Sequence, residues 1–238
     1  MPKGAGRART WLGVCRVRAG GKMGGCVWDS FGYRLAMLSR FVALIVGVLA
    51  LAALRGQFDA LLEPVASQAV AQKLWFMAGY FTILTNLAVA AVMLAVAGGW
   101  KISGSVAAGL LVSIVMVGLI YHLILARLWQ PQGLAWWANQ ALHTAVPLAF
   151  CGWWLAFADK EVGWADLPKW LIWPAVYGIY VVVRGMLTGY WPYPFVNVET
   201  LGAARVAVNT LGLMVWFAVL GAGVIGVARL VRRGVLVE

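Results

Sequence analysis

The sequence predicts an all-α membrane protein: a polytopic bundle of six transmembrane helices with both chain ends in the cytoplasm. Three observations predict it. Hydrophobic residues make up 63% of the chain and charged residues only 11%, where a soluble domain carries roughly a quarter. Six separate stretches reach the ~20 mostly apolar residues that a spanning helix needs. The basic residues gather on one side of those stretches, as the positive-inside rule requires. Mean hydropathy is +0.85. The net charge of +11 does not point to nucleic acid, because most of the basic residues flank apolar segments.

Residues 1–33 are basic and glycine-rich and lack the apolar core of a signal peptide. They predict a disordered cytoplasmic tail able to touch anionic lipid, with Met23 and Met37 as alternative starts. The membrane domain is expected over 34–231, followed by a short tail at 232–238. Its spans are expected at about 35–54, 74–98, 102–127, 134–157, 168–190 and 206–230. Lys3, Arg7, Arg9, Arg16, Arg18, Lys22 and Arg34 precede the first span. With six spans, Lys101, Lys160, Lys169, Arg229, Arg232 and Arg233 share their side, and only Arg55, Lys73, Arg127 and Arg205 lie opposite. Tryptophans such as Trp136, Trp153, Trp173 and Trp191 sit near span ends, where an aromatic belt lies. No internal repeat of the transporter kind is visible. Cys15, Cys26 and Cys151 have no paired spacing, so they give neither a disulfide framework nor a metal motif.

Polar groups inside a bilayer are costly and face a cavity or a partner. Counting the helical rise from the expected span ends puts Thr82 roughly 12 Å and His143 roughly 13 Å below the outer edge. His122 and Arg184 are each roughly 9 Å down, Asn209 about 5 Å and Thr188 about 3 Å. Asn86 lies deeper, near the midplane. Arg40 and Arg229 can snorkel to the cytoplasmic side. Polar groups of five helices therefore meet at one level in the outer half of the membrane. Thr82, Thr85 and Asn86 share one helical face; so do Asn139, Gln140 and His143, and Tyr180, Arg184 and Thr188. A threonine in a membrane helix also bonds its own i−4 carbonyl, and a buried asparagine joins helices. His143 is different, because no acidic residue lies inside any span to partner it.

A site of hydroxyls, imidazoles and one guanidinium, without carboxylates, excludes a two-carboxylate glycosidase and a hard-cation cage. It suits acyl transfer, in which a histidine takes the proton of a threonine hydroxyl. Arg184, or an amide such as Asn86 or Asn139, then stabilises the oxyanion or holds a carboxylate headgroup. No cofactor, metal or protein partner is called for; the expected partner is a membrane lipid or an amphipathic acyl ester.

Three motifs carry a resemblance. ALHTAVPLAF (141–150), preceded by WWANQ, resembles the His-Thr motif of the androgen-induced and androgen-dependent-TFPI-regulating membrane proteins. TGYWPYPFVNVETLG (188–202) is similar to their Gly-x-Trp-x-Tyr-Pro-Phe segment, and YFTILTNL (80–87) to their second-span threonine motif. The six-span core looks closer still to bacterial relatives catalogued as Pr-six-Pr membrane proteins. The resemblance implies a six-span fold and intramembrane hydrolysis of fatty acid esters of hydroxy fatty acids, with threonine as nucleophile and histidine as base. His143 matches the family's histidine. The family's threonine falls at Ile83, between Thr82 and Thr85; Thr82 shares the depth of His143 and is preferred, with Thr85 as the alternative. Asn86, His122, Asn139, Arg184, Thr188 and Tyr193 are the candidates for holding substrate or oxyanion. Two other functions are open: a non-catalytic lipid-binding, sensing or transport protein, or a haem protein using His122 and His143. The expected location is the cell membrane.

Overall fold

The computed structural model describes residues 30–62, 69–128 and 130–235. The tail expected over 1–33 lies outside them as far as residue 29, as do residues 236–238. Every regular element among the described residues is helical. In chain order these are α1 (Ser30–Leu62), α2 (Val70–Met77), α3 (Phe81–Ala97), α4 (Gly104–Leu123), α5 (Gly133–Gln140), α6 (Val146–Phe157), α7 (Leu167–Thr188), α8 (Val198–Leu201) and α9 (Ala203–Val235). A π turn, Ala141–Ala145, joins α5 to α6.

Among the described residues four helices are long and apolar enough to cross a membrane: Gly32–Leu61, Gly104–Arg127, Trp164–Thr188 and Ala203–Gly234. They match the first, third, fifth and sixth expected spans. The two remaining expected spans are irregular, and both irregularities fall where polar residues cluster. Over 74–98 the chain forms α2 and α3, bent by 96° at their junction, and the pair counts as a fifth span only when taken together. Over 134–157 the chain is helical throughout, but as α5, the π turn and α6, with helical halves of 8 and 12 residues.

α4 is the central element, packed against α3, α6, α7 and α9. Its small residues Gly104, Ala107, Ala108 and Gly118 let neighbours approach closely; a Cβ on Gly118 would stand 2.9 Å from the His143 carbonyl oxygen. α1 lies along α3 and covers α5 and α6. Polar contacts lock the end of the bundle away from His143. Arg40 donates from Nε to the Ala97 carbonyl (3.0 Å), placing a cation at the C-terminus of α3. Ser105 Oγ donates to Asp166 (2.9 Å), which also accepts from the Gly163 N–H (3.0 Å). Lys160 Nζ closes α6 on the Trp154 and Ala158 carbonyls (2.6 Å each), and burial holds its pKa below the ordinary lysine value.

The break between α2 and α3 has an identifiable cause. Tyr80 is extended (φ −102°, ψ 129°); the Phe76 and Met77 carbonyls bond in turns to the Gly79 and Tyr80 N–H groups, but those of Trp75, Ala78 and Gly79 have no backbone donors. In apolar surroundings those carbonyls need other partners. One face of α7 supplies them. Tyr177 donates to the Gly79 carbonyl (2.7 Å), Tyr180 to Ala78 (3.1 Å), and Arg184 Nη2 to Trp75 (2.6 Å). The Arg184 guanidinium also lies 4.4 Å from the centre of the Trp75 ring. Gly79 is the residue that makes room: a Cβ there would fall on Arg184 Nη1. Gly79→Ala is therefore expected to lower stability by about 1–3 kcal/mol, the usual cost of overpacking. Thermal unfolding in detergent checks this; a wild-type midpoint would mean the break does not depend on that contact.

Candidate functional site

The break makes Thr82 the second residue of α3, at a helix start, where backbone N–H groups lack intrahelical acceptors. Among the described residues no backbone carbonyl accepts from the Thr82 N–H, since those of Ala78 and Gly79 lie on the far side of the bend and bond to α7; the Tyr193 hydroxyl is the polar group beside it. The neighbouring Phe81 N–H donates to the Tyr193 hydroxyl (3.2 Å).

Thr82 Oγ1 lies 3.2 Å from His143 Nε2. On the other side of the ring, His143 Nδ1 lies 2.8 Å from the Asn139 carbonyl. A carbonyl only accepts, so Nδ1 carries the proton and Nε2 presents its lone pair to the Thr82 hydroxyl. Tyr121 fixes the plane of the ring: its own ring stacks on His143 at 4.2 Å and 24°, and its hydroxyl accepts from Asn139 Nδ2 (2.5 Å). Asn139 thus orients the imidazole twice, through its carbonyl and through Tyr121. Thr82 and His143 are both buried, at 7% and 9% exposure.

The π turn explains how His143 reaches this place. The Val146 N–H bonds to the Ala141 carbonyl, five residues back. In that register the Leu142 carbonyl would pair with residue 147, which is Pro147 and has no N–H. Asn86 fills the gap, donating from Nδ2 to the Leu142 carbonyl (3.2 Å) and to the Thr82 carbonyl (2.8 Å). It therefore ties the two halves of the site together from below.

The expected site residues divide into two groups. Thr82, His143, Asn139 and Tyr193 come together, with Asn86 as their support. The other four are placed elsewhere. Thr85 is fully buried but turns to α7, where Trp173 Nε1 donates to its hydroxyl (3.2 Å). Arg184 is held on the Trp75 carbonyl. Thr188 donates to the Arg184 carbonyl four residues back (2.8 Å), the ordinary use of a helical threonine. His122 is exposed and bonds Thr144 Oγ1 (2.9 Å). Both nitrogens of His143 are engaged, and the Tyr121 ring packs on both imidazoles (4.2 and 4.9 Å), so the two histidines do not face each other as axial haem ligands would. Among the described residues no three His, Cys, Asp or Glu side chains are grouped to hold a metal. Tyr121 is the residue that reading by depth missed. Its signal was available, since it precedes His122 on α4 and a buried phenol needs a polar partner.

Two cavities meet at this point. The larger is lined by Tyr80, Thr82, Ile83, Tyr121, Asn139, His143 and Tyr193, with Gln57 and Leu61 of α1. The smaller lies between α4, α7 and α9. Thr82, Leu125 and Tyr193 form part of the wall of both. No protein-family model, curated protein or solved structure matches the chain.

Replacing Asn86 by leucine keeps the volume close and removes both amide bonds. It is expected to cost about 1–3 kcal/mol, because the Leu142 carbonyl is left without a donor. Unfolding midpoints of Asn86→Leu and wild type test this, and equal midpoints would refute the role given to the amide.

Proposed function

We propose that the chain is a multi-pass protein of the cell membrane that hydrolyses lipid esters, with Thr82 as nucleophile and His143 as general base. The observation that carries this reading is the 3.2 Å contact of Thr82 Oγ1 with a His143 Nε2 whose tautomer is fixed by the Asn139 carbonyl. It supports the activity implied by the resemblance to the six-span threonine hydrolases, and with it a fatty acid ester of a hydroxy fatty acid as substrate. The six spans, the cytoplasmic termini and a pocket in the outer half of the membrane belong to the same reading.

The reaction follows from the geometry. His143 Nε2 takes the Thr82 hydroxyl proton as Oγ1 attacks the ester carbonyl carbon. The bond to the alcohol oxygen then breaks, and that oxygen leaves with the proton from Nε2. Water hydrolyses the acyl-threonine by the same route in reverse, giving the free acid and restoring the threonine hydroxyl. The charge on the carbonyl oxygen needs donors that are already in place. The Thr82 N–H, at the positive end of α3, and the Tyr193 hydroxyl, in the cavity wall with Thr82, are the two donors assigned to it.

Thr82→Ala and His143→Ala are each expected to lower ester turnover by about 100-fold or more, the loss typical when a nucleophile or its base is removed. Thr85→Ala is expected to retain turnover, because its hydroxyl serves Trp173 on the other face. Purified protein in detergent, assayed on a panel of fatty esters and by labelling with a fluorophosphonate probe, checks all three. Full turnover and labelling in Thr82→Ala would sink the reading. Co-purified lipid with no turnover of any ester would favour lipid binding instead.

A further inference from the structure

We propose that the slot between α4, α7 and α9 holds the ester-proximal part of the substrate's acyl chain, as unbranched hydrocarbon, with the ester carbonyl at Thr82 and the alcohol part in the larger cavity. The assignment deepens the proposed hydrolase reading and rests on Thr82 as the reacting residue. Its basis is the lining of the slot, which runs along two helices and carries fewer polar groups than the larger cavity.

The slot runs along the helices. α7 contributes Pro174, Tyr177, Gly178 and Val181, and α9 contributes Thr210, Leu213, Met214 and Phe217. Each set is an i, i+3, i+4, i+7 stripe, so each covers about 10 Å of helix on one face. Met116, Val117 and Ile120 of α4 form the third wall. The lining is aliphatic and aromatic throughout most of its length. Its polar groups are few: the hydroxyls of Tyr177 and Tyr193, Thr210, and Thr82 at the wall shared with the other cavity. Tyr177 is already occupied in bonding the Gly79 carbonyl. A narrow apolar slot parallel to membrane helices fits a lipid chain, which lies in that direction and asks for no hydrogen bonds. The larger cavity is also mostly apolar but carries more polar groups, with Gln57, Asn139, His143 and the hydroxyls of Tyr80 and Tyr121 in its walls. It suits the part of an ester that carries a polar group.

The slot also has room that a side chain can fill. A Cβ on Gly178 would meet only Thr210 Cγ2, at 3.8 Å, so larger side chains there extend into the slot without striking backbone. Pro174 lacks the N–H that would bond the Trp170 carbonyl, which loosens α7 at the same level.

The test compares kcat/KM for 4-nitrophenyl hexadecanoate and 4-nitrophenyl butyrate. Gly178→Phe from α7 and Thr210→Trp from α9 are each expected to lower the ratio of long-chain to short-chain turnover by about tenfold or more. Leu61→Trp, which narrows only the larger cavity, is expected to leave that ratio near wild type. A ratio that moves with Leu61→Trp and not with the two slot variants overturns the assignment. Cross-linking gives a readout independent of turnover: decanoic acid with a terminal diazirine should label α4, α7 or α9. Labelling confined to α1 and α2 overturns the proposal. Labelling of the slot without turnover of any ester keeps the slot as a chain site and removes the hydrolase reading.

Discussion

An interrupted helix in apolar surroundings leaves backbone groups without water, and the rest of this structure depends on how they are satisfied. At the end of α2 the burden falls on three side chains of α7 spaced i, i+3, i+7, two phenols and a guanidinium. Each unpaired carbonyl would cost on the order of several kcal/mol in lipid, so the bend exists only with its donors. Arg184 has a second fit, because a cation at a helix C-terminus opposes the dipole of α2. The result is positional. Without the bend Thr82 would be an interior residue of a long helix, its N–H bonded and its hydroxyl free to turn to its own i−4 carbonyl. With the bend it opens α3, its N–H has no backbone acceptor, and its hydroxyl meets an imidazole on a different element.

The π turn follows the same logic on the other side of the site. An extra residue in the turn rotates His143 toward α3, and Pro147 removes a donor that the turn would otherwise use. Asn86 supplies it from α3, so the two irregular segments are cross-linked by one amide. The glycine at 118 lets α4 press against the His143 carbonyl, and Tyr121, one turn along, stacks on the ring. Each departure from regular helix is thus compensated by a side chain of a neighbouring helix, and the compensating groups set Thr82 against His143.

Much of this was readable from the sequence, and the part that was not has a physical reason. Counting helical rise placed Thr82 and His143 at one depth, and they are in contact. It could not choose between Thr82 and Thr85 on residue spacing, because the two lie three apart on a common face; the bend decides, turning one to His143 and the other to Trp173. The same count read 74–98 as one straight span. A break at Ala78–Tyr80 leaves no composition signal, since Gly79 is ordinary in a membrane helix and the donors that hold the break come from residues ~100 positions away in sequence. Arg184 was expected at the substrate because a charge inside a span usually marks a site. Its depth was informative, but its partner is a backbone carbonyl freed by a break that pattern reading does not reveal.

The lack of a carboxylate in the site is a consequence of where it sits. A histidine oriented by Asp or Glu would place a permanent negative charge among apolar helices, and desolvating it costs several kcal/mol even after relaxation. A backbone carbonyl fixes the same Nδ1–H tautomer with no net charge. The difference would appear only during reaction, when the imidazole becomes cationic and a carbonyl dipole stabilises it less than a carboxylate. In the proposed mechanism that deficit is offset on the other side of the transition state. The oxyanion forms at the positive end of α3, and imidazolium and oxyanion arise together as a close pair in a low dielectric, where their attraction is strong. A neutral resting site and a compact ion pair in the transition state make a consistent solution for ester chemistry among apolar helices. Both depend on the bend that puts Thr82 at the start of α3.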